Sequence, residues 1–174
     1  MQNDAAHDAS LDQAILLHQS GDITQAETLY RSLLQQDPDD PEVTNLLGLL
    51  LQDQGKHQDA LAMLLRALAL DPEFPEALTN LARVRHLLGQ TEQARQDAAK
   101  AIELDPELPE AQLQYGRLLL EMKELAPAEA ALNACIALDP TIQDAHLFLG
   151  LALLAGNRVP DAIRAFQQAS CIKP

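Results

Sequence analysis

DPEFPEALTNLARVRHLLGQTEQARQDAAKAIELDP, residues 71–106, begins and ends on Asp-Pro and is broken once inside, at Gly89. Before the break, Leu78, Leu81, Ala82 and the aliphatic stem of Arg85 recur at steps of three and four. After it, Ala94, Ala98 and Ala101 do the same. That spacing places apolar groups on one face of an α-helix. The stretch therefore reads as two amphipathic helices of three to four turns, an ordinary length. Neither can bury its stripe alone, so each needs the other and a neighbour.

The same punctuation runs along the whole chain. Pro38, Pro72, Pro106, Pro140 and Pro174 are each 34 residues apart, and Asp precedes the first four. The frames that follow are 7–40, 41–74, 75–108, 109–142 and 143–174, with 1–6 left as an N-terminal tail. Gly21, Gly55 and Gly89 hold frame position 15, with Gly156 one place earlier in the last frame. Position 8 holds Ala14, Gly48, Ala82, Gly116 and Gly150. Eight of the ten prolines sit at frame junctions, and the other two, Pro127 and Pro160, fall in a first helical turn, where proline is tolerated. The expectation is helix A at about positions 2–14 and helix B at about 18–30 of every frame. Position 20 is Ala in all five, and position 24 takes a larger knob: Tyr30, Leu64, Ala98, Leu132 and Phe166. Small residues at 8 and 20 let the paired helices approach closely.

These positions resemble the tetratricopeptide repeat, whose pattern of small and large residues has a 34-residue period. Leu47, Gly48, Leu51, Ala60, Leu64, Ala67 and Pro72 carry the likeness in the second frame, and Leu149, Gly150, Leu153, Ala162, Phe166, Ala169 and Pro174 in the fifth. The departures are the missing Trp at position 4, Leu33 and Cys135 at position 27, and Lys123 at position 15. The resemblance implies an all-α fold, a right-handed superhelical solenoid of antiparallel helix pairs. It also implies a concave wall of A helices that holds a peptide or helix of a partner. A fold by itself names no partner.

By that resemblance, positions 2, 5, 6, 9, 12 and 13 of the A helices line the groove. The candidates are Asn45, Thr79, Asn80, Arg83, His86, Gln114, Arg117 and Glu121, with Phe148 as an apolar anchor. Arg83 and Arg117 both hold position 9, and two guanidiniums could clamp a carboxylate, which suits an acidic partner. The alternative is that they pair with local acids such as Glu121 or Glu110. Asn80 and Gln114 can bond an extended backbone or simply face solvent. The Lys, Asn and Arg set of the family's carboxylate clamp is absent, so specificity for chaperone tails is not expected.

Composition narrows the function. Hydrophobic residues make up 47% and aromatics only 3%, so aliphatic side chains must pack the core. The net charge of −14 repels a phosphate backbone, which argues against nucleic acid and anionic membranes. Residues 1–12 show neither the basic start nor the apolar stretch of a signal peptide, and the longest apolar runs, 46–51 and 147–155, are too short to span a bilayer. Cys135 and Cys171 make no disulfide framework, which points to a reducing compartment, the cytoplasm. His7, His18, His57, His86 and His146 show no metal-binding spacing and read as surface residues. No phosphate loop, dinucleotide fingerprint or nucleophile elbow is present. Neither cofactor, metal nor catalytic residue is expected. Asp37, Asp39 and Asp40 read as a solvated turn rather than a cation site.

The chain is thus expected to be a protein-interaction scaffold and not an enzyme. Two alternatives stay open: a substrate-recruiting region ahead of a bacterial sulfotransferase or glycosyltransferase domain, and a self-associating adaptor. The second draws on charge, since the first frame sums to −6 and the fifth to +1. It also draws on the apolar fifth A helix, with Leu147, Phe148, Leu151 and Leu154, through which a homo-oligomer could form.

Overall fold

A computed structural model describes residues 2–172, with side chains from residue 7 onward. Met1, Lys173 and the last proline mark, Pro174, lie outside the described residues. Ten helices follow one another among them: α1 Gln2–Gln19, α2 Ile23–Gln36, α3 Pro41–Asp53, α4 His57–Leu70, α5 Pro75–Leu87, α6 Thr91–Leu104, α7 Pro109–Glu121, α8 Leu125–Leu138, α9 Gln143–Ala155 and α10 Val159–Cys171. No strand occurs among the described residues. The odd-numbered helices are the A helices and the even-numbered ones the B helices. α1 starts at Gln2, so residues 2–6, read above as a tail, continue the first helix.

The proline marks work through the aspartates before them. Asp37, Asp71, Asp105 and Asp139 each close a B helix in an extended conformation, at φ of −129, −131, −135 and −139°. A following proline imposes that geometry. Each Asp donates its own N–H back into the helix, to the carbonyls of Leu33, Ala67, Ala101 and Cys135. Each carboxylate then accepts the N–H two residues on, at 3.2, 3.0, 2.9 and 2.8 Å. The junction is thereby a self-closed turn. Pro41, Pro75 and Pro109 follow as the first residues of α3, α5 and α7, where the missing N–H is no loss.

The turns inside the repeats need a left-handed residue at position 15. Gly21, Gly55 and Gly89 have φ of +85, +75 and +76° there, and Lys123 and Asn157 take +63 and +60°. The last frame is therefore not shifted: Asn157 makes the turn, and Gly156 merely caps α9 at φ −81°. Asn tolerates this region because its short polar side chain bonds locally.

The chain packs as two compact units, residues 1–88 and 89–174, with the boundary in the turn between α5 and α6. In the first, α1 packs on α2 and α3 on α4, each B helix touches the next A helix, and α3 lies between α1 and α5. Its core joins Leu11, Tyr30, Val43, Leu50, Leu64 and Val84 with the small residues Ala14, Ala26 and Ala60. In the second, α7 packs on α8 and α9 on α10, with α8 also on α9 and α7 beside α9. Leu118, Leu119, Leu132, Ala128 and Cys135 are buried there. Close approach at position 8 is literal. A Cβ added at Gly48 would lie 2.9 Å from Leu64 Cγ, and one at Gly116 would lie 2.7 Å from Leu132 Cγ. At Gly150 it would strike the Phe166 ring.

Candidate functional site

The A helices of the first unit, α1, α3 and α5, stand side by side and form a wall. Two open clefts crease it. The first, about 380 Å³, lies between α1 and α3 and is lined by Ile15, His18, Gln19, Leu46, Leu49 and Asp53, with Tyr30 reaching in from α2 behind. The second, about 440 Å³, lies between α3 and the start of α5 and is lined by Pro41, Glu42, Asn45, Leu46, Asp71, Phe74 and Glu76. Leu46 belongs to both.

The α1–α3 cleft carries a polar rim on an apolar bed. His18 Nε2 donates to Asp53 Oδ2 at 3.0 Å. The His18 ring stands edge-on to Tyr30, at 6.2 Å and 81°. Tyr30 is fully buried, and its hydroxyl has no hydrogen-bond partner among the described residues. Burial pushes the phenol up to about 12, so it stays a neutral donor at any physiological pH.

The expected groove residues fall into two sets, one in each unit. In the first unit, Asn45, Thr79 and Asn80 are buried rather than displayed. Asn80 Nδ2 donates to Asn45 Oδ1 at 2.9 Å, which ties α5 to α3. Thr79 Oγ1 donates back to the Pro75 carbonyl at 2.8 Å. These three therefore shape the wall, and only the rim of Asn45 opens into a cleft. Arg83 and His86 are half-buried on α5, and both interact with neighbouring groups. In the second unit, Gln114 is buried, Arg117 half-buried and Glu121 exposed, all on α7. Gln114 Oε1 has no hydrogen-bond partner among the described residues. Phe148 is half-buried on α9, beside exposed Leu147, Leu151 and Leu154, a one-sided apolar stripe.

The other candidates resolve individually. His146 corrects the reading of all five histidines as surface residues. It is buried, and its Nε2 donates to the Pro140 carbonyl at 3.1 Å, which fixes α9 to the junction before it. The Asp37, Asp39 and Asp40 cluster divides its labour. Asp37 closes the turn, while Asp40 accepts the Val43 N–H as the α3 cap and bonds His7. Among the described residues no group of three His, Cys, Asp or Glu could hold a metal ion, and no helix is long and apolar enough to cross a membrane. Neither cysteine is bridged. Burial pushes the Cys135 thiol up to about 11, which keeps it protonated and unreactive.

Sequence reasoning missed both clefts. Ile15, His18, Tyr30, Leu46, Leu49 and Asp53 come from three helices, and nothing in their spacing announces a shared crease. The signal available was position 9, where Ile15 and Leu49 are apolar and Arg83 and Arg117 are not.

Comparison with family models returns the tetratricopeptide repeat three times, at residues 7–50, 45–109 and 89–141. Comparison with curated protein sequences returns no match. Among solved structures, the chain resembles a thermophilic TPR protein of Thermus thermophilus, with a TM-score of 0.84 and 23% identity over 97% of this chain and 92% of that one. It also resembles PilF of Pseudomonas aeruginosa, with a TM-score of 0.87 and 22% identity over 100% and 79%. A third is YrrB, described as a TPR protein with an unusual peptide-binding site, with a TM-score of 0.68 and 23% identity over 95% and 85%. At these identities the likeness shows the fold, a solenoid of helix pairs.

Proposed function

This chain belongs to the tetratricopeptide repeat family and is a protein-interaction scaffold, and we propose that it holds a short segment of a partner protein against its A-helix wall and does no chemistry on it. The observation behind this reading is the pair of open clefts on the A-helix side of the first unit, each large enough for a side chain. Small residues at positions 8 and 20 bring the helices together, and the wall stays rigid because Asn45, Thr79 and Asn80 are bonded within it. A preorganised wall costs a ligand little reorganisation. Arg83 in the first unit, with His86 on the same helix, and separately Arg117 in the second, with Gln114 and Glu121 on the same helix and Phe148 as an anchor on α9, are the proposed contacts for carboxylates on an acidic partner. The strongly acidic surface disfavours nucleic acid and anionic membranes, and the cysteine usage favours the cytoplasm.

Affinity capture from native lysate tests the reading. Arg83→Glu and Arg117→Glu are expected to lower recovery of the bound partner about tenfold, as reversal of a contacting charge does. Leu65→Glu, on an exposed position of the B helix α4, is expected to leave recovery unchanged. Equal recovery with all three variants would remove the wall as the binding surface.

A further inference from the structure

The two clefts of the first unit differ in chemistry. The α3–α5 cleft has an apolar bed of Pro41, Leu46 and Phe74, and three carboxylates around it, Glu42, Asp71 and Glu76. Among the described residues none of the three makes an ion pair. Glu42 and Glu76 are exposed at the mouth, while Asp71 is half-buried and spends one oxygen on the Glu73 N–H. The first helical turn favours the carboxylates of Glu42 and Glu76, but that favour does not require a cleft between them. A long aliphatic stem with a cationic head matches this arrangement: the stem on Phe74 and Leu46, the head among the acids. The α1–α3 cleft has no net charge beyond its His18–Asp53 pair and is walled by Ile15, Leu46 and Leu49. Its buried Tyr30 hydroxyl has no hydrogen-bond partner among the described residues, a donor that the fold itself leaves unsatisfied.

We propose that these adjoining clefts read one partner segment in two places, a basic side chain between α3 and α5 and an uncharged, mainly apolar side chain with an acceptor at its tip, such as methionine or glutamine, between α1 and α3. This rests on the A-helix wall being the binding surface and adds the chemistry that it selects. The cleft centres are offset by about six residues along α3, roughly 9 Å, and by about one interhelical spacing across it, roughly 9 Å. The diagonal of about 13 Å equals about four residues of extended chain. Two side chains four apart point to the same side of an extended segment, so both clefts can be filled at once.

A twelve-residue random peptide library displayed on phage, selected on the whole chain at low salt, tests this. Enriched peptides are expected to carry Lys or Arg with a long uncharged side chain four residues away. Synthetic copies are expected to lose at least about tenfold in affinity for Glu42→Lys/Glu76→Lys, two exposed positions, and to weaken as salt rises. They should lose about threefold or more for Tyr30→Phe, whose fold is kept. Peptides with no basic residue, basic peptides indifferent to Glu42→Lys/Glu76→Lys, or no enrichment would overturn the proposal. Peptides that carry acidic residues but no Lys or Arg, released by Arg83→Glu and indifferent to Glu42→Lys/Glu76→Lys, would overturn it too, while leaving the A-helix wall as the binding surface.

Discussion

Gly116→Leu is expected to lower the stability of the second unit by about 3 kcal/mol or more, at the upper end of overpacking in a filled core. The reason is local. A bare Cβ at residue 116 already lies 2.7 Å from Leu132 Cγ and 3.4 Å from the Ala128 carbonyl oxygen. Leu132 is fully buried and Ala128 belongs to the backbone of α8, so neither neighbour can retreat without prising α7 from α8. A leucine adds three more carbons to a space that lacks room for one. Chemical denaturation followed by helix content measures the effect. Gly156→Ala provides the contrast, since its Cβ would meet only carbonyl oxygens at 3.5 Å, ordinary contact distance. A Gly116→Leu midpoint equal to that of Gly156→Ala would refute the close crossing at position 8.

Tyr30→Ala is the second large effect, a loss of about 3–5 kcal/mol from the first unit, as for other fully buried aromatic residues. The ring fills position 24 of the first repeat and packs with Ala14, Ala26, Leu33 and Leu47 in one core. Tyr30→Phe separates the ring from its hydroxyl. Because that hydroxyl is buried without a partner, its removal is expected to leave the denaturation midpoint equal or higher. The same protein should bind the selected peptides less well. Stability held and affinity lost in one variant would identify a group kept for a ligand. A stability that fell by about 2 kcal/mol or more would instead show that the hydroxyl is bonded within the fold.

How much of this was legible depends on whether the cause lies along the chain or across it. Proline, glycine and the residue pairs at positions 8, 20 and 24 act on their immediate helix or on its partner one turn away in the repeat. Their regular spacing therefore located the helices to within a residue or two, except for the start of α1, which lies before the first frame. The Asp before each proline was visible as a mark, but its hydrogen bond to the residue two on is a matter of geometry. Gly156 misled because composition cannot say which of two neighbouring small residues adopts positive φ; the backbone chose Asn157. The wall was harder still. Asn45 and Asn80 are one repeat and one residue apart, and only the packing of α3 on α5 turns two exposed-looking amides into a buried pair. The clefts depend on three helices meeting, with Leu46 shared between two of them, and no local pattern encodes that.

The central claim is that a partner lies along the A helices and not along the B helices. Site-specific photocrosslinking in native lysate addresses it most directly, with a photoreactive side chain placed singly at Leu49, Arg83, Arg117 or Leu151, all at position 9, or at Leu65, Asn133 or Gln167, all at position 25 of the B helices. The expected result is one partner crosslinked from the first group and none from the second. Crosslinks of equal yield from both groups, or from the B-helix positions alone, would contradict the account.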